Sequence, residues 1–306
     1  MSILLIALGF AGLLIGGEFL VRGAVAVAER LRLSPIVIGI TLVGFGTSMP
    51  ELLASVQAAL VGAPGIAVGN VVGSNIANIL LILGAAAAIR PVIVARGEFR
   101  RDGTVLALAT LLCLAAVLSG TLGRGAGLVF LAGLAVYIIH TIRTGAAEPA
   151  DPLASRPSMA TALLCVAGGL VALLVGARAL VSGAVTVAAD LGVSEAVIGL
   201  TVVAIGTSMP ELITSILAAR RGQSALAFGN IVGSNIFNIL GILGVTALVH
   251  PLEVPSVIAG FDIWVMLGAT TVLMVAALTV GRIARALGVA LLIAYAAYLG
   301  WLVLSA

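Results

Sequence analysis

The chain has 306 residues, of which 62% are hydrophobic and 9% are charged, and its formal net charge is +3. This composition excludes an ordinary soluble domain, in which roughly 45–50% of residues are apolar and about 25% are charged. The positive charge comes from arginines scattered between apolar stretches, so it does not indicate a nucleic-acid-binding surface. We therefore expect an integral membrane protein that contacts lipid and has no nucleic-acid partner.

Apolar stretches long enough to cross a membrane follow one another along the chain. Short polar segments separate ten of them, and one polar, proline-rich linker at 145–157 follows the fifth. The predicted transmembrane helices lie near 2–28, 35–61, 66–89, 103–121, 125–143, 158–189, 194–219, 225–248, 258–280 and 284–304. In the first of them Glu18 and Arg22 are four residues apart, which predicts a structural ion pair or a gating contact on one helical face.

The arginines test the number of spans. With ten spans, twelve of the 15 basic residues lie in loops on one side of the membrane, and only Arg124 lies in a loop on the other. Cytoplasmic loops carry an excess of Lys and Arg, so the side with twelve arginines is predicted to be the cytoplasm. This places the linker in the cytoplasm and both termini outside.

A sequence repeat divides the chain into two halves. Residues 34–84 align without a gap with residues 194–244, and 31 of the 51 positions are identical. The offset contains five predicted spans, and an odd number of spans reverses the orientation of the second copy. We therefore predict an all-α membrane protein of ten helices in two inverted-topology repeats, 1–144 and 158–306, an architecture typical of secondary transporters.

Each copy carries the phrase "GTSMPE" in the middle of a predicted helix, at 46–51 and 206–211. Because proline lacks an N–H, Pro50 and Pro210 deprive the carbonyl groups four residues earlier, those of Gly46 and Gly206, of their helical donors. An unpaired carbonyl at membrane depth needs protein, water or an ion as its partner. We expect the neighbouring carbonyls to be loosened too, namely those of Gly44, Thr47, Ala204 and Thr207.

Side-chain oxygens accompany the glutamate of each motif. Thr47 and Ser48 share a helical face with Glu51, and Thr207 and Ser208 share one with Glu211. On the span that follows each motif, two more polar side chains lie one turn apart on one face, Ser74 with Asn78 and Ser234 with Asn238. Such ligands suit hard cations such as Ca²⁺ and Na⁺, and there is no Cys/His cluster that would favour zinc or copper. A carboxylate at membrane depth costs ~2.5–3.5 kcal/mol. One divalent or two monovalent cations would neutralise both carboxylates, which predicts an exchanger with no cofactor.

The motif "GTSMPE" followed by "GNVVGSNIAN", and again by "GNIVGSNIFN", resembles the sodium/calcium exchanger family of the cation/Ca²⁺ exchanger superfamily, in its compact prokaryotic form. The resemblance implies ten helices, a prokaryotic cell membrane, a functional monomer, and alternating access by sliding of the first and sixth helices over the other eight. It implies that Na⁺ is exchanged for Ca²⁺ at Glu51 and Glu211. It also implies that the remaining ligands are Thr47, Thr207, Gly44, Ala204, Ser48, Ser208, Ser74, Ser234, Asn78 and Asn238.

Two features depart from the family pattern. The usual Leu or Val before the proline of the motif is Met here, which is conservative, and the second departure is Asn238. Asn238 occupies the place of an Asp in many prokaryotic and potassium-dependent members, and an Asn does not titrate.

The alternatives to exchange of Na⁺ for Ca²⁺ are an exchanger coupled to protons or carrying another divalent cation, and a channel that uses the same site as a pore. An intramembrane enzyme is disfavoured because no His or Lys lies in the motifs to activate Ser48.

Overall fold

The computed structural model describes residues 1–144, 157–190 and 204–305, and most of them are helical. The helices are α1 Ser2–Leu31, α2 Pro35–Thr47, α3 Met49–Leu60, α4 Pro64–Ile89, α5 Arg96–Leu118, α6 Arg124–Thr144, α7 Met159–Asp190, α8 Ala204–Thr207, α9 Met209–Arg220, α10 Ser224–Val249, α11 Ile258–Val280 and α12 Arg285–Ser305. Short strands β1 Val92–Ile93, β2 Thr121–Leu122, β3 Leu252–Glu253 and β4 Arg282–Ile283 lie between helices.

The structure confirms an all-helical membrane protein. In the part of the chain that it describes, eight helices are long and apolar enough to cross a membrane, and the bent pair α2 and α3 makes nine. The predicted seventh span, 194–219, lies partly outside that part, which contains only α8 and α9 of it. The count of ten therefore stays a prediction.

The predicted start of the fourth span, near 103, is wrong. α5 begins at Arg96, so Arg101 and Asp102 lie inside the helix. Their charges are compatible with this position because the Arg101 Nε lies 2.7 Å from Asp102 Oδ1 and the two side chains form an ion pair. The predicted pair in the first span is confirmed, with 2.7 Å between Arg22 Nη2 and Glu18 Oε1.

Helices α4 and α10 form the centre of the protein. Within their most apolar windows 72% and 89% of the residues are buried, against 17–39% in the other long helices. Glycines let α2 approach α10 closely, since a Cβ on Gly229 or Gly233 would lie 2.5 Å from the carbonyl oxygen of Ile36 or Ile40. The two central helices are the ones that follow the "GTSMPE" motifs.

Helices α1 and α7 pack antiparallel against each other through glycines. A Cβ on Gly9, Gly16 or Gly23 would lie 2.5–2.8 Å from a backbone atom of α7. The partners descend along α7, from Leu180 for Gly9 to Ala162 for Gly23, as an antiparallel pair requires. Glycines at seven-residue spacing place this contact along one face of each helix and bring the two backbones together.

The strands show how the two halves meet. β1 pairs antiparallel with β4, and β2 pairs antiparallel with β3, so each sheet contains one strand from each half. Because β1 precedes α5 and β2 follows it, the two sheets lie at opposite ends of this helix. Leu252 in β3 lies 160 positions after Val92 in β1, which is the offset of the sequence repeat. Equivalent strands of the two halves therefore lie at opposite ends of the bundle.

Candidate cation site

Both motif helices break where the sequence predicts a break. α2 ends at Thr47, α3 begins at Met49, and the two helices are bent by 44°. Ser48, between them, has φ −85° and ψ 8°, and Ser208 has φ −88° and ψ 7° between α8 and α9. A proline in the first turn of α3 and of α9 explains this geometry, because proline is tolerated there and not in a helix interior.

The carbonyl of Gly44 is not loosened, which corrects one expectation. It accepts the helical hydrogen bond from the Ser48 N–H at 3.2 Å, and the Ser234 hydroxyl donates to it at 3.4 Å. The Thr47 hydroxyl lies 3.0 Å from the Val43 carbonyl and 3.4 Å from that of Gly44. The helical hydrogen bonds therefore continue as far as the N–H of Ser48, and the break lies beyond the carbonyl of Gly44.

The two glutamates are buried and joined across the halves of the protein. Glu51 is 1% exposed and Glu211 is 2% exposed. The Ser48 hydroxyl donates to Glu211 Oε1 at 2.8 Å, and the Ser208 hydroxyl donates to Glu51 Oε1 at 3.2 Å. Each carboxylate is therefore held by the serine of the opposite motif, and the two motifs form one cluster.

The second oxygen of each carboxylate has no partner. Glu51 Oε2 and Glu211 Oε2 are buried and accept no hydrogen bond, and the same is true of Asn238 Oδ1. No arginine in the described segments forms an ion pair with either glutamate. Buried polar atoms are nearly always satisfied, and buried carboxylates are paired or bind metals. The cluster therefore has the chemistry of a site for a hard cation.

The remaining predicted ligands lie on the helices that meet at this cluster. Ser74 and Asn78 on α4, and Ser234 and Asn238 on α10, are 0–6% exposed. Thr47 at the end of α2 is fully buried, and Thr207 at the end of α8 is half-buried. Ala204 is the first residue of α8. Within the described residues there is no group of three or more His, Cys, Asp or Glu, so the cluster differs from a carboxylate-rich metal site.

Two buried aspartates escaped the sequence analysis. The Tyr137 hydroxyl donates to Asp102 at 3.1 Å, and the Tyr298 hydroxyl donates to Asp262 at 2.9 Å. Asp262 lies 160 positions after Asp102, so extending the repeat beyond residues 84 and 244 would have found this pair. Both pairs tie a helix to its successor, α5 to α6 and α11 to α12.

The sequence and the fold were compared with known proteins. The family model described as "Sodium/calcium exchanger protein" matches residues 1–143 and 161–304. A "Putative antiporter CaxA" of Alkalimonas amylolytica is 40% identical over 96% of both chains. The "Sodium/calcium exchanger MaX1" of Methanosarcina acetivorans is 32% identical over 97% of both chains.

The fold is similar to that of solved structures of the sodium-calcium exchanger NCX_Mj. One of them, soaked with Na⁺ and Ca²⁺, superposes with a TM-score of 0.88 at 33% sequence identity and covers 98% of this chain and 97% of that chain. Family model, relatives and fold agree over nearly the whole length. The chain therefore belongs to the sodium/calcium exchanger family.

Proposed function

We propose that the protein is a secondary active antiporter that exchanges Na⁺ for Ca²⁺ across the membrane by alternating access. The observation that carries this proposal is the pair of buried glutamates, each with one oxygen held by the opposite serine and one oxygen without a partner. Two negative charges in one cluster favour either one Ca²⁺ or two Na⁺. Because these occupancies exclude each other, binding of one ion releases the other.

We assign both ions to the cluster at the helix breaks. All its ligands are carboxylate, hydroxyl, amide or backbone oxygens, as Ca²⁺ and Na⁺ prefer. The proposed ligands are Glu51, Glu211, Thr47, Thr207, Ser48, Ser208, Gly44, Ala204, Ser74, Ser234, Asn78 and Asn238. In this set Asn238 supplies its unpartnered Oδ1 as a neutral ligand, so the charge of the site comes from the two glutamates alone.

Alternating access is supported by a difference between two equivalent helix faces. α1 lies on α9, where a Cβ on Gly17 would be 2.8 Å from Leu217 and 3.0 Å from Ile213. In the first repeat the residue equivalent to Ile213 is Leu53 on α3, which is 57% exposed, whereas Ile213 is 8% exposed. One face is covered by the long helix and its counterpart is open. We propose that the exchanger alternates between this arrangement and the equivalent one in which the roles of the two repeats are exchanged, so that Leu53 is covered and Ile213 is exposed.

The inverted arrangement of ten helices is part of this proposal. It is supported by the repeat-equivalent strands β1 and β3 at opposite ends of the bundle and by the antiparallel packing of α1 and α7. With the arginine-rich loops in the cytoplasm, both termini lie outside and the covered face of α9 ends on the cytoplasmic side. Reporter fusions at the linker, residues 145–157, and at either terminus test this orientation in a prokaryotic cell membrane.

The test of the exchange is uptake of ⁴⁵Ca²⁺ into proteoliposomes loaded with Na⁺. The wild type is expected to take up Ca²⁺ only when a Na⁺ gradient is imposed. Glu51→Gln and Glu211→Gln are each expected to reduce uptake at least about 100-fold, because each removes one of the two charges that bind Ca²⁺, and 100-fold in affinity corresponds to only about 2.8 kcal/mol. The matched control is Glu253→Gln, which removes an exposed carboxylate on β3 and leaves uptake unchanged.

Three results contradict the proposal. Uptake driven by a pH gradient and not by Na⁺ would favour the proton-coupled alternative. Ion flux far above the turnover of a transporter would favour a channel. Undiminished exchange in both glutamine variants would show that the transported ions do not bind at the cluster.

A further inference from the structure

Asn70 on α4 forms two hydrogen bonds to α3, the helix that carries Glu51, and we call this pair of bonds a clasp. Its Nδ2 donates to the backbone carbonyl of Glu51 at 3.1 Å and to the hydroxyl of Ser55 at 2.9 Å. Both hydrogens of one amide group are therefore used on two successive turns of α3. The contact crosses from one helix to the next and reaches the backbone of the glutamate itself.

The second half of the protein repeats this clasp. Asn230 Nδ2 donates to the backbone carbonyl of Glu211 at 3.4 Å and to the hydroxyl of Ser215 at 2.9 Å. The donors and acceptors are 19 and 15 residues apart in both copies. Asn230 also accepts a hydrogen bond from the Thr47 hydroxyl at 3.3 Å, so this clasp reaches the helix break of the first half.

The clasps lie where the helix geometry needs support. The breaks at Ser48 and Ser208 interrupt the helices immediately before the turns that carry the glutamates. Those turns lie at the N-terminus of a helix and are not held in place by a continuous helix. Asn70 sits on the same helix as Ser74 and Asn78, so its two hydrogen bonds relate the Glu51 turn directly to the ligands of α4.

Two other asparagines show that this contact is not a general property of the sequence. Asn75 and Asn235 are buried, as Asn230 is, whereas Asn70 is half-buried. Their Nδ2 atoms donate to carbonyls of their own helices, those of Val71 at 2.8 Å and Ile231 at 2.7 Å. They therefore brace no neighbouring helix through these bonds. Within the same motif one asparagine joins two helices and the other does not.

We propose that Asn70 and Asn230 are positioning residues, which fix the distance between each site carboxylate and the ligands on the following helix and thereby set the affinity and size selectivity of the cation site. This inference rests on the proposed function and deepens it. The asparagines act through the backbone of Glu51 and Glu211 and do not bind the ion. Their loss loosens the site without removing any ligand.

The test is equilibrium binding of Ca²⁺ and Sr²⁺ to purified full-length protein. Asn70→Ala and Asn230→Ala are expected to raise the Kd for Ca²⁺ by about 10–100-fold, as is usual when a group that orients a metal ligand is removed. The ratio of the Kd values for Sr²⁺ and Ca²⁺ is expected to move towards one, since a loosened site discriminates less by size. Loss of folded protein alone lowers the number of sites and leaves this ratio unchanged.

Milder variants keep the test decisive if an alanine variant does not fold. Ser55→Ala and Ser215→Ala each remove one of the two hydrogen bonds and are expected to raise the Kd for Ca²⁺ severalfold. The exchanged pair Ser55→Asn with Asn70→Ser restores a donor and an acceptor and is expected to recover affinity relative to Asn70→Ala. The controls Asn75→Ala and Asn235→Ala leave both the Kd and the ratio unchanged.

The outcomes separate this inference from the proposed function. If the wild type exchanges Na⁺ for Ca²⁺ and the clasp variants bind both ions as the Asn75→Ala and Asn235→Ala controls do, the positioning role is refuted and the exchanger stands. If the wild type neither binds Ca²⁺ nor exchanges it for Na⁺, the proposed function fails, and the positioning role fails with it.

Discussion

Ser48 and Ser208 each hold the glutamate of the other half of the protein. Spacing along the chain placed Ser48 on one face with Glu51 and Ser208 on one face with Glu211. In the structure the helix breaks at each serine, and its hydroxyl reaches the opposite carboxylate. Sequence spacing singled out these residues but did not predict their pairing, because the pairing depends on how two distant segments meet.

Asn238 is a proposed ligand that carries no charge. Its amide is buried, and its Oδ1 has no partner among the described residues. If Asn238 is a ligand, as we propose, the substitution Asn238→Asp adds a third carboxylate to a site with two. Protons then compete with cations for the added group, since a like charge nearby favours its neutral form.

We predict that Asn238→Asp makes exchange more sensitive to acid. The ratio of Ca²⁺ uptake at pH 8 to uptake at pH 6 is expected to exceed that of the wild type by roughly threefold, because neighbouring carboxylates promote protonation. Uptake into proteoliposomes buffered equally on both sides measures this ratio. The control Asn238→Ala removes the ligand without adding a titratable group, and it lowers uptake at both pH values alike. An unchanged ratio in Asn238→Asp would show that this position lies away from the ions.

At the scale of the helices, the contact between α1 and α7 depends on the absence of side chains. A Cβ added to Gly16 would lie 2.7 Å from the backbone nitrogen of Leu173, whereas a Cβ added to Gly168 would have no atom within 4 Å. We predict that Gly16→Ala destabilises the protein by ~1–3 kcal/mol through overpacking. Gly168→Ala is the matched control and is expected to stabilise the protein by up to about 1 kcal/mol, because alanine forms helices better than glycine and its methyl group meets no atom. Thermal denaturation in detergent measures both, and equal melting temperatures would mean that the helices are not in backbone contact.

A second helix contact involves charge. Arg221, directly after α9, donates to Glu18 Oε2 at 2.8 Å, and Glu18 also pairs with Arg22. The repeat equivalents of Glu18 and Arg221 are Arg178 and Val61, which cannot form such a pair. This ion pair therefore stabilises the contact of α1 with α9 and has no counterpart between α7 and α3.

We predict that Glu18→Gln shifts the protein away from the arrangement with α1 on α9. Partly exposed pairs contribute ~0.2–1 kcal/mol, so the equilibrium between the two arrangements is expected to shift by up to about fivefold. A cysteine introduced by Ile213→Cys, which α1 covers, should react correspondingly faster with a soluble thiol reagent. Arg178→Gln, at the equivalent position of α7, serves as the control and leaves the rate unchanged. The three proteins compared are Ile213→Cys alone, with Glu18→Gln and with Arg178→Gln. Equal reaction rates in all three would show that the ion pair does not hold α1 in place.

At the scale of the whole molecule, the polar breaks between apolar stretches predicted the bounds of the described long helices well, with the start of α5 as the exception. The apolar period could not reveal that Arg101 and Asp102 neutralise each other inside a helix. The repeat, with 31 of 51 positions identical, predicted two equivalent halves. It could not predict that α1 covers Ile213 while Leu53 is exposed, because two equivalent sequences give no reason for their helix faces to differ in burial.

The central claim is that the two halves complete one cation site, with one carboxylate from each. Binding of ⁴⁵Ca²⁺ to the purified protein at equilibrium tests it most directly, with Na⁺ as competitor. We predict one Ca²⁺ per chain, displaced by Na⁺, and loss of this binding in Glu51→Gln and in Glu211→Gln alike. Two independent Ca²⁺ sites, of which each variant loses only its own, would contradict the claim.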